Sequence, residues 1–141
     1  MKIILLFFTI FTTMATSKAS KIVEIQVKTS NEWNADMTFG HLDLVICGEP
    51  QCCLIENLDS KYDDFQLDSL DSFTHQDLQG CEQFDLPDGI LKSLLIAHRG
   101  LDDWLGEYLL VLLDSGVFHK CEIHGWLHNA EDLQLLCTHD N

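Results

Sequence analysis

The chain has 141 residues, and its 23 Asp and Glu against 8 Lys and Arg give a formal net charge of −15 with histidine neutral. That length suits one domain, and 46% apolar with 9% aromatic residues is enough for a core, while 22% charged residues and two prolines do not describe a disordered chain. Such acidity excludes a nucleic-acid binder, which needs clustered Lys and Arg, and disfavours adsorption to anionic membranes.

Residues 1–19 differ from the rest. Lys2 supplies a positive start, residues 3–11 are nearly unbroken hydrocarbon, and small residues follow, with Ala15, Ser17 and Ala19 each a fitting cleavage point. We read them as a secretory signal, too short to span a bilayer comfortably, which leaves residues 20–141 as one domain. Its removal takes Lys2 and Lys18 but no acid, so the remainder is more negative still. All six cysteines, Cys47, Cys52, Cys53, Cys81, Cys121 and Cys137, lie in that remainder and read as three disulfides formed in an oxidising, extracellular compartment. Adjacent Cys52 and Cys53 must each reach elsewhere, and a Cys121 to Cys137 bridge closing the C-terminal tail is the pairing we expect. No repeated C-x-x-C supports zinc instead.

Along the chain, residues 22–27 place Val23, Ile25 and Val27 against Glu24 and Gln26, the two-residue period of a half-buried strand. Residues 30–40 form a polar loop carrying Trp33 and Phe39. A second strand puts Leu42, Leu44 and Ile46 on one face and ends at the turn residues 48–50. Residues 59–79, rich in Asp and Ser, hold Phe65, Leu67, Leu70 and Phe73 as anchors and permit only short strands. Pro87-Asp88-Gly89 is a turn, and the strand after it places Leu94 and Ile96 on one face. Beyond a loop at 99–103, residues 108–113 are apolar on both faces, as in a fully buried strand, and residues 107–123 read as a hairpin. Closely spaced strand signals with almost no helical periodicity predict an all-β, antiparallel β-sandwich held by disulfides.

From residues 22 to 127 the order of these features resembles a PLAT domain, the β-sandwich found in lipoxygenases, pancreatic-type lipases and some bacterial toxins. The resemblance rests on the opening strand through Val27, the loop Thr29-Ser30-Asn31-Glu32-Trp33 and the strand from Leu42. It continues in Asp63-Asp64-Phe65 with Asp71-Ser72-Phe73, in Asp103-Trp104 with Tyr108, and in Cys121 followed by Trp126-Leu127. These fall where the family has N-D-F-x-x-G-x-x-D-x-F/Y and a closing C-x-x-W-L, the latter lengthened here by two residues. Two departures stand out: the family's first-loop T-D reads Thr38-Phe39, and its F-x-x-G reads Phe65-Gln66-Leu67-Asp68. The resemblance implies a stand-alone, non-catalytic module that binds a lipid or membrane surface, or a protein, through its loops.

Candidate contact residues are Trp33, Phe39 and Trp104, because an indole or phenyl ring on a loop tip suits the interfacial zone of a bilayer. For Trp104 the W-x-x-x-Y spacing to Tyr108 also fits a core position. Calcium is a candidate cofactor through the loop acids Glu32, Asp36, Asp63, Asp64, Asp102 and Asp103, although acids in so negative a chain also serve as plain solvated surface. His119, His124 and His128 do not have the spacing of a metal site. No nucleophile elbow, zincin helix or phosphate loop is present; His98 and Asp102 could be a base and its orienter, but no nucleophile joins them. The alternative to a lipid or protein binder is a secreted effector, toxin-like or defence protein acting on a receptor. The negative charge favours a protein or small apolar ligand over a bare anionic membrane.

Overall fold

The computed structural model describes residues 18–140; most of the leader-like segment lies outside them. The elements are β1 (Ser20–Thr29), β2 (Gly40–Cys47), β3 (Cys52–Leu58), β4 (Leu70–Thr74), β5 (Asp85–Leu86), β6 (Ser93–Gly100), β7 (Trp104–Leu113), β8 (Phe118–Glu122), β9 (Trp126–Leu127) and β10 (Asp132–Asp140). One 3-10 turn, Pro87–Gly89, lies before β6, and no α-helix occurs among the described residues.

All pairings are antiparallel, in the order β3-β2-β6-β10-β8-β7-β1-β4, with β5 on β1 and β9 on β7. β10 belongs to both layers: residues 132–135 pair with β6 and residues 136–140 pair with β8. A strand that changes partners midway is a corner joining two packed sheets. β3, β2 and β6 form one layer, and β8, β7, β1 and β4 the other. The expected antiparallel β-sandwich is the fold observed.

The inner faces follow from alternation. Leu42, Leu44 and Ile46 of β2 are fully buried, as are Leu94 and Ile96 of β6. Two strands depart from the expected pattern. In β1 a register shift between Ile22 and Glu24 marks a β-bulge, which turns Ile22 inward and leaves Val23 on the outside, with Ile25 and Val27 in the core. In β7, residues 108–113 are not buried on both faces: Leu109, Val111 and Leu113 point inward, whereas Leu110 and Leu112 are half-buried on the outer face.

Three disulfides join Cys47 to Cys52, Cys53 to Cys81 and Cys121 to Cys137. The first closes the β2–β3 hairpin, the second anchors residues 75–84 to β3, and the third crosses the β8–β10 ladder between directly paired residues. The adjacent cysteines do reach separate partners, and the Cys121 to Cys137 pairing is the expected one. Three disulfides in so small a domain point to an oxidising environment.

Candidate functional site

Antiparallel pairing brings one set of connections to the same end of the sandwich. β1 ends beside the start of β7, with Thr29 opposite Gly106, and β2 begins beside the end of β6, with Gly40 opposite Gly100. The 30–39 loop and the 101–103 loop therefore meet. The amide of Leu105 donates to the Ala35 carbonyl at 3.2 Å, and that of Leu101 to the Phe39 carbonyl at 2.8 Å. Asp102 completes the tie, its Oδ2 accepting from the amides of Thr38 at 2.9 Å and Phe39 at 2.8 Å. Gly100 is required for this closeness, since a Cβ there would lie 2.3 Å from the Phe39 carbonyl oxygen and 2.4 Å from Gly40 Cα.

Ala35 and Met37 turn inward as plugs of the 30–39 loop, while Trp33, Asn34, Thr38 and Phe39 face out and Asp36 is half-buried. Trp33 is 84% exposed, Phe39 67% and, on the neighbouring loop, Leu101 86%. Behind Trp33 a cleft of about 640 Å³ is lined by Trp33, Asn34, Asp36 and Thr38 from one loop and by Asp102 and Asp103 from the next. Trp126 of β9 and His128 close the far side. His128 Nδ1 lies 2.7 Å from Asp103 Oδ1. The hydrogen bond and charge of Asp103 raise the His128 pKa above the ordinary 6.5 by stabilising the imidazolium.

The sequence-predicted residues fall into distinct places. Trp33 and Phe39 are exposed as expected. Trp104 is a correction: it is fully buried at the start of β7, its ring centroid 6.0 Å from that of Phe65, and its indole N–H donates to Thr29 Oγ1 at 3.2 Å. A ring held this way forms the floor beneath the loops and touches no surface. Gly106 makes room for it, because a Cβ there would lie 2.4 Å from the Trp104 ring.

The six acids are not brought to one point. Asp36, Asp102 and Asp103 line the cleft described above, whereas Asp63 and Asp64 lie in a second, smaller depression with Tyr62 and Asp59, and Glu32 lines neither. Asp64 accepts from the Ser60 amide and hydroxyl, both at 2.6 Å. Beside it, burial and then the Asp64 charge push the Asp59 pKa up. Among the described residues no group of three or more His, Cys, Asp or Glu side chains is arranged to hold a metal ion. His98 and Asp102 form no dyad. His98 is fully buried and its ring nitrogens have no hydrogen-bond partner among the described residues, and Asp102 is committed to backbone amides. His119 is also buried, its Nε2 donating to the Gly89 carbonyl at 2.8 Å beside the β7–β8 turn, at the opposite end of the molecule. Leu101, Trp126 and His128 were missed as members of the site. Leu101 carried the clearest signal, a lone large apolar residue between Gly100 and Asp102.

No family model and no curated protein matches the sequence. Solved structures do match. The alpha toxin from Clostridium absonum is 16% identical, with a TM-score of 0.69 over 89% of this chain and 33% of the toxin. The Clostridium perfringens alpha-toxin of avian strain SWCP is 15% identical, with a TM-score of 0.68 over 89% and 34%. Coral 8R-lipoxygenase, described as having calcium activation via a C2-like domain, is 20% identical, with a TM-score of 0.66 over 82% of this chain and 17% of the enzyme. The chain thus spans about a third of the toxins and about a sixth of the lipoxygenase. The regions matched are their C2-like or PLAT domains, and the fold described above is PLAT-like.

Proposed function

We propose that the protein is a secreted, non-catalytic binding module that attaches to a lipid surface through the pole built from the 30–39 and 101–103 loops. The observation that carries this reading is the grouping of Trp33, Phe39 and Leu101, three large apolar side chains exposed on adjoining loops while the rest of each loop is tied down by hydrogen bonds. Rigid loops presenting apolar tips can enter the interfacial zone without losing much conformational freedom on binding. The membrane attachment associated with PLAT-like folds supports the same direction. The leader-like residues 1–19 and the three disulfides support an extracellular setting. A non-catalytic role is supported by the oxidation of all six cysteines and by the separation of His98 from Asp102.

The charge of −15 directs the choice of surface toward uncharged, zwitterionic bilayers, because like charges repel on approach to anionic ones. Calcium activation belongs to the C2-like domain of the coral lipoxygenase; here the acids are divided between two depressions, so attachment through apolar tips is expected to proceed without calcium. Flotation with phosphatidylcholine vesicles tests the proposal. The protein should float equally with calcium and with EDTA, and the Trp33→Ala, Leu101→Ala double variant should bind about a hundredfold more weakly, for a loss of ~3 kcal/mol of side-chain transfer. Protein that stays at the bottom of the gradient under both conditions overturns the lipid reading and favours a receptor-directed effector.

A further inference from the structure

We infer that the cleft behind Trp33 is a site for a quaternary ammonium group, either free in a small molecule or carried as the choline of a lipid headgroup. The inference uses the same pole as the proposed lipid attachment and names the chemical group recognised there.

The walls decide the sign of the ligand. Asp36, Asp102 and Asp103 line the cleft, and no Lys or Arg does among the described lining residues. His128 is the sole base among the described lining residues, and its Nδ1 is engaged by Asp103 at 2.7 Å, so that whenever the imidazole is protonated its charge is met by that carboxylate. Asp102 is occupied by two backbone amides. Asp36, half-buried, makes no hydrogen bond or ion pair with any described residue, so one carboxylate in the cleft stays uncompensated. An anion is excluded by this arrangement, and a cation is favoured.

The aromatic walls decide which cation. Trp33 and Trp126 come from separate connections, one on the 30–39 loop and one on β9, and both line the same cavity. Indole is the side chain whose ring attracts cations most strongly, and it favours those that shed water easily. A metal ion needs several converging oxygen ligands, which these acids do not provide. A primary ammonium keeps its water unless hydrogen-bond acceptors replace it. A quaternary ammonium has no N–H to satisfy, presents an apolar surface to the indoles and keeps a full charge for Asp36. At about 640 Å³ the cleft lies within the usual range of small-ligand sites and admits such a group with its attached chain.

This chemistry also relieves the electrostatic difficulty of an acidic protein at a membrane. In a phosphatidylcholine bilayer the trimethylammonium is the outermost charged group, so the acidic pole meets positive charge first. Apolar tips then enter the interface beside it.

The test titrates the full-length protein with choline chloride and with ethanolamine hydrochloride at constant ionic strength, following tryptophan fluorescence and heat. A parallel flotation series compares vesicles of phosphatidylcholine and phosphatidylethanolamine with the same acyl chains. Saturable choline binding is expected, with ethanolamine about threefold to tenfold weaker, and Asp36→Asn and Trp33→Ala each lowering choline affinity by a similar factor. Both changes are on an exposed loop, and thermal melts matching the parent establish that the variants fold. Equal binding of choline and ethanolamine, or choline binding untouched in Asp36→Asn, overturns the inference. Flotation on both vesicle types without choline binding also overturns it, while leaving lipid attachment standing. Saturable choline binding lost in Asp36→Asn, with no flotation, supports the ammonium site with a free ligand as its source and removes the lipid reading.

Discussion

Replacing Trp104 by Ala separates the floor of the pole from its surface. The residue is fully buried, with Phe65 at 6.0 Å and Phe73 stacked beyond it, 5.7 Å from Phe65. Truncating a buried Trp to Ala costs about 3–5 kcal/mol through lost transfer and the cavity left behind. The change also removes the donor to Thr29 Oγ1, leaving that fully buried hydroxyl without its partner at a further cost of about 1–3 kcal/mol. Against a total stability of about 5–15 kcal/mol for a domain of this kind, the variant is at the edge of folding. Trp104→Phe keeps most of the packing and loses chiefly the hydrogen bond, so a loss of about 1–2 kcal/mol is expected. Urea unfolding followed by circular dichroism reads both, and with a slope of ~1.5 kcal/mol per molar the Phe variant should shift the midpoint by about 1 M. Trp33→Ala should leave the midpoint unchanged while weakening vesicle binding. The reasoning is refuted if Trp104→Ala unfolds with the parent midpoint yet loses vesicle binding, because Trp104 then behaves as a surface residue.

Removing the Cys53 to Cys81 bridge by a double Ala substitution should cost about 3–4 kcal/mol, the loop-closure value for a sequence separation of 28, and the loss is read as a lowered urea midpoint. Gly100→Ala forces a methyl group to within 2.3 Å of backbone, so a loss of about 2 kcal/mol or more is expected, together with faster hydrogen exchange at the amides of Thr38 and Phe39. The His128 to Asp103 pair raises the folded-state pKa of His128, so its contribution is complete below the unfolded value near 6.5 and is lost as pH rises through the raised folded value. Asp103→Asn should lower the His128 titration midpoint seen by NMR; an unmoved midpoint refutes the pairing.

The core faces of β2 and β6 were legible because Leu42, Leu44 and Ile46 in one strand and Leu94 and Ile96 in the other recur at every second residue, and those are the positions that are fully buried. β3 was not. Its sequence begins with two adjacent cysteines whose partners are remote, and Leu54 and Ile55 sit side by side although only Ile55 is in the core. β10 was hidden by an apolar residue on its outer face: Leu133, Leu135 and Cys137 face inward at every second residue, but Leu136 between them is 79% exposed, so the sequence does not alternate apolar with polar. The bulge in β1 hid itself in the same way, since a two-residue period cannot register one inserted residue. The departure at Asp68 has a backbone explanation. The position that carries glycine in the resembled pattern adopts φ of 60° here, and Asp tolerates that left-handed conformation better than most residues.

The acids were the part of the sequence whose meaning lay furthest from composition. A protein of strands and long connections has many loop amides with no ladder partner, and each needs an acceptor. Much of the negative charge serves that need. Asp43 accepts from Asn57, Asp71 from Phe65, Asp77 from Thr74, Asp102 from Thr38 and Phe39, Asp114 from Lys21, and Glu131 from His128, in every case from a backbone amide. Glu82 does the same for Gly80, and backbone amides hold its carboxyl below the usual value. A carboxylate employed in this way is neither a calcium ligand in waiting nor idle surface, and it cannot be told from either by residue type or spacing. Once these are set aside, Asp36 stands out among the acids of the Trp33 cleft, sharing its lining with two indoles and, among the described residues, with no backbone amide or base to answer its charge. It is this remainder, and not the total of −15, that selects a cationic ligand.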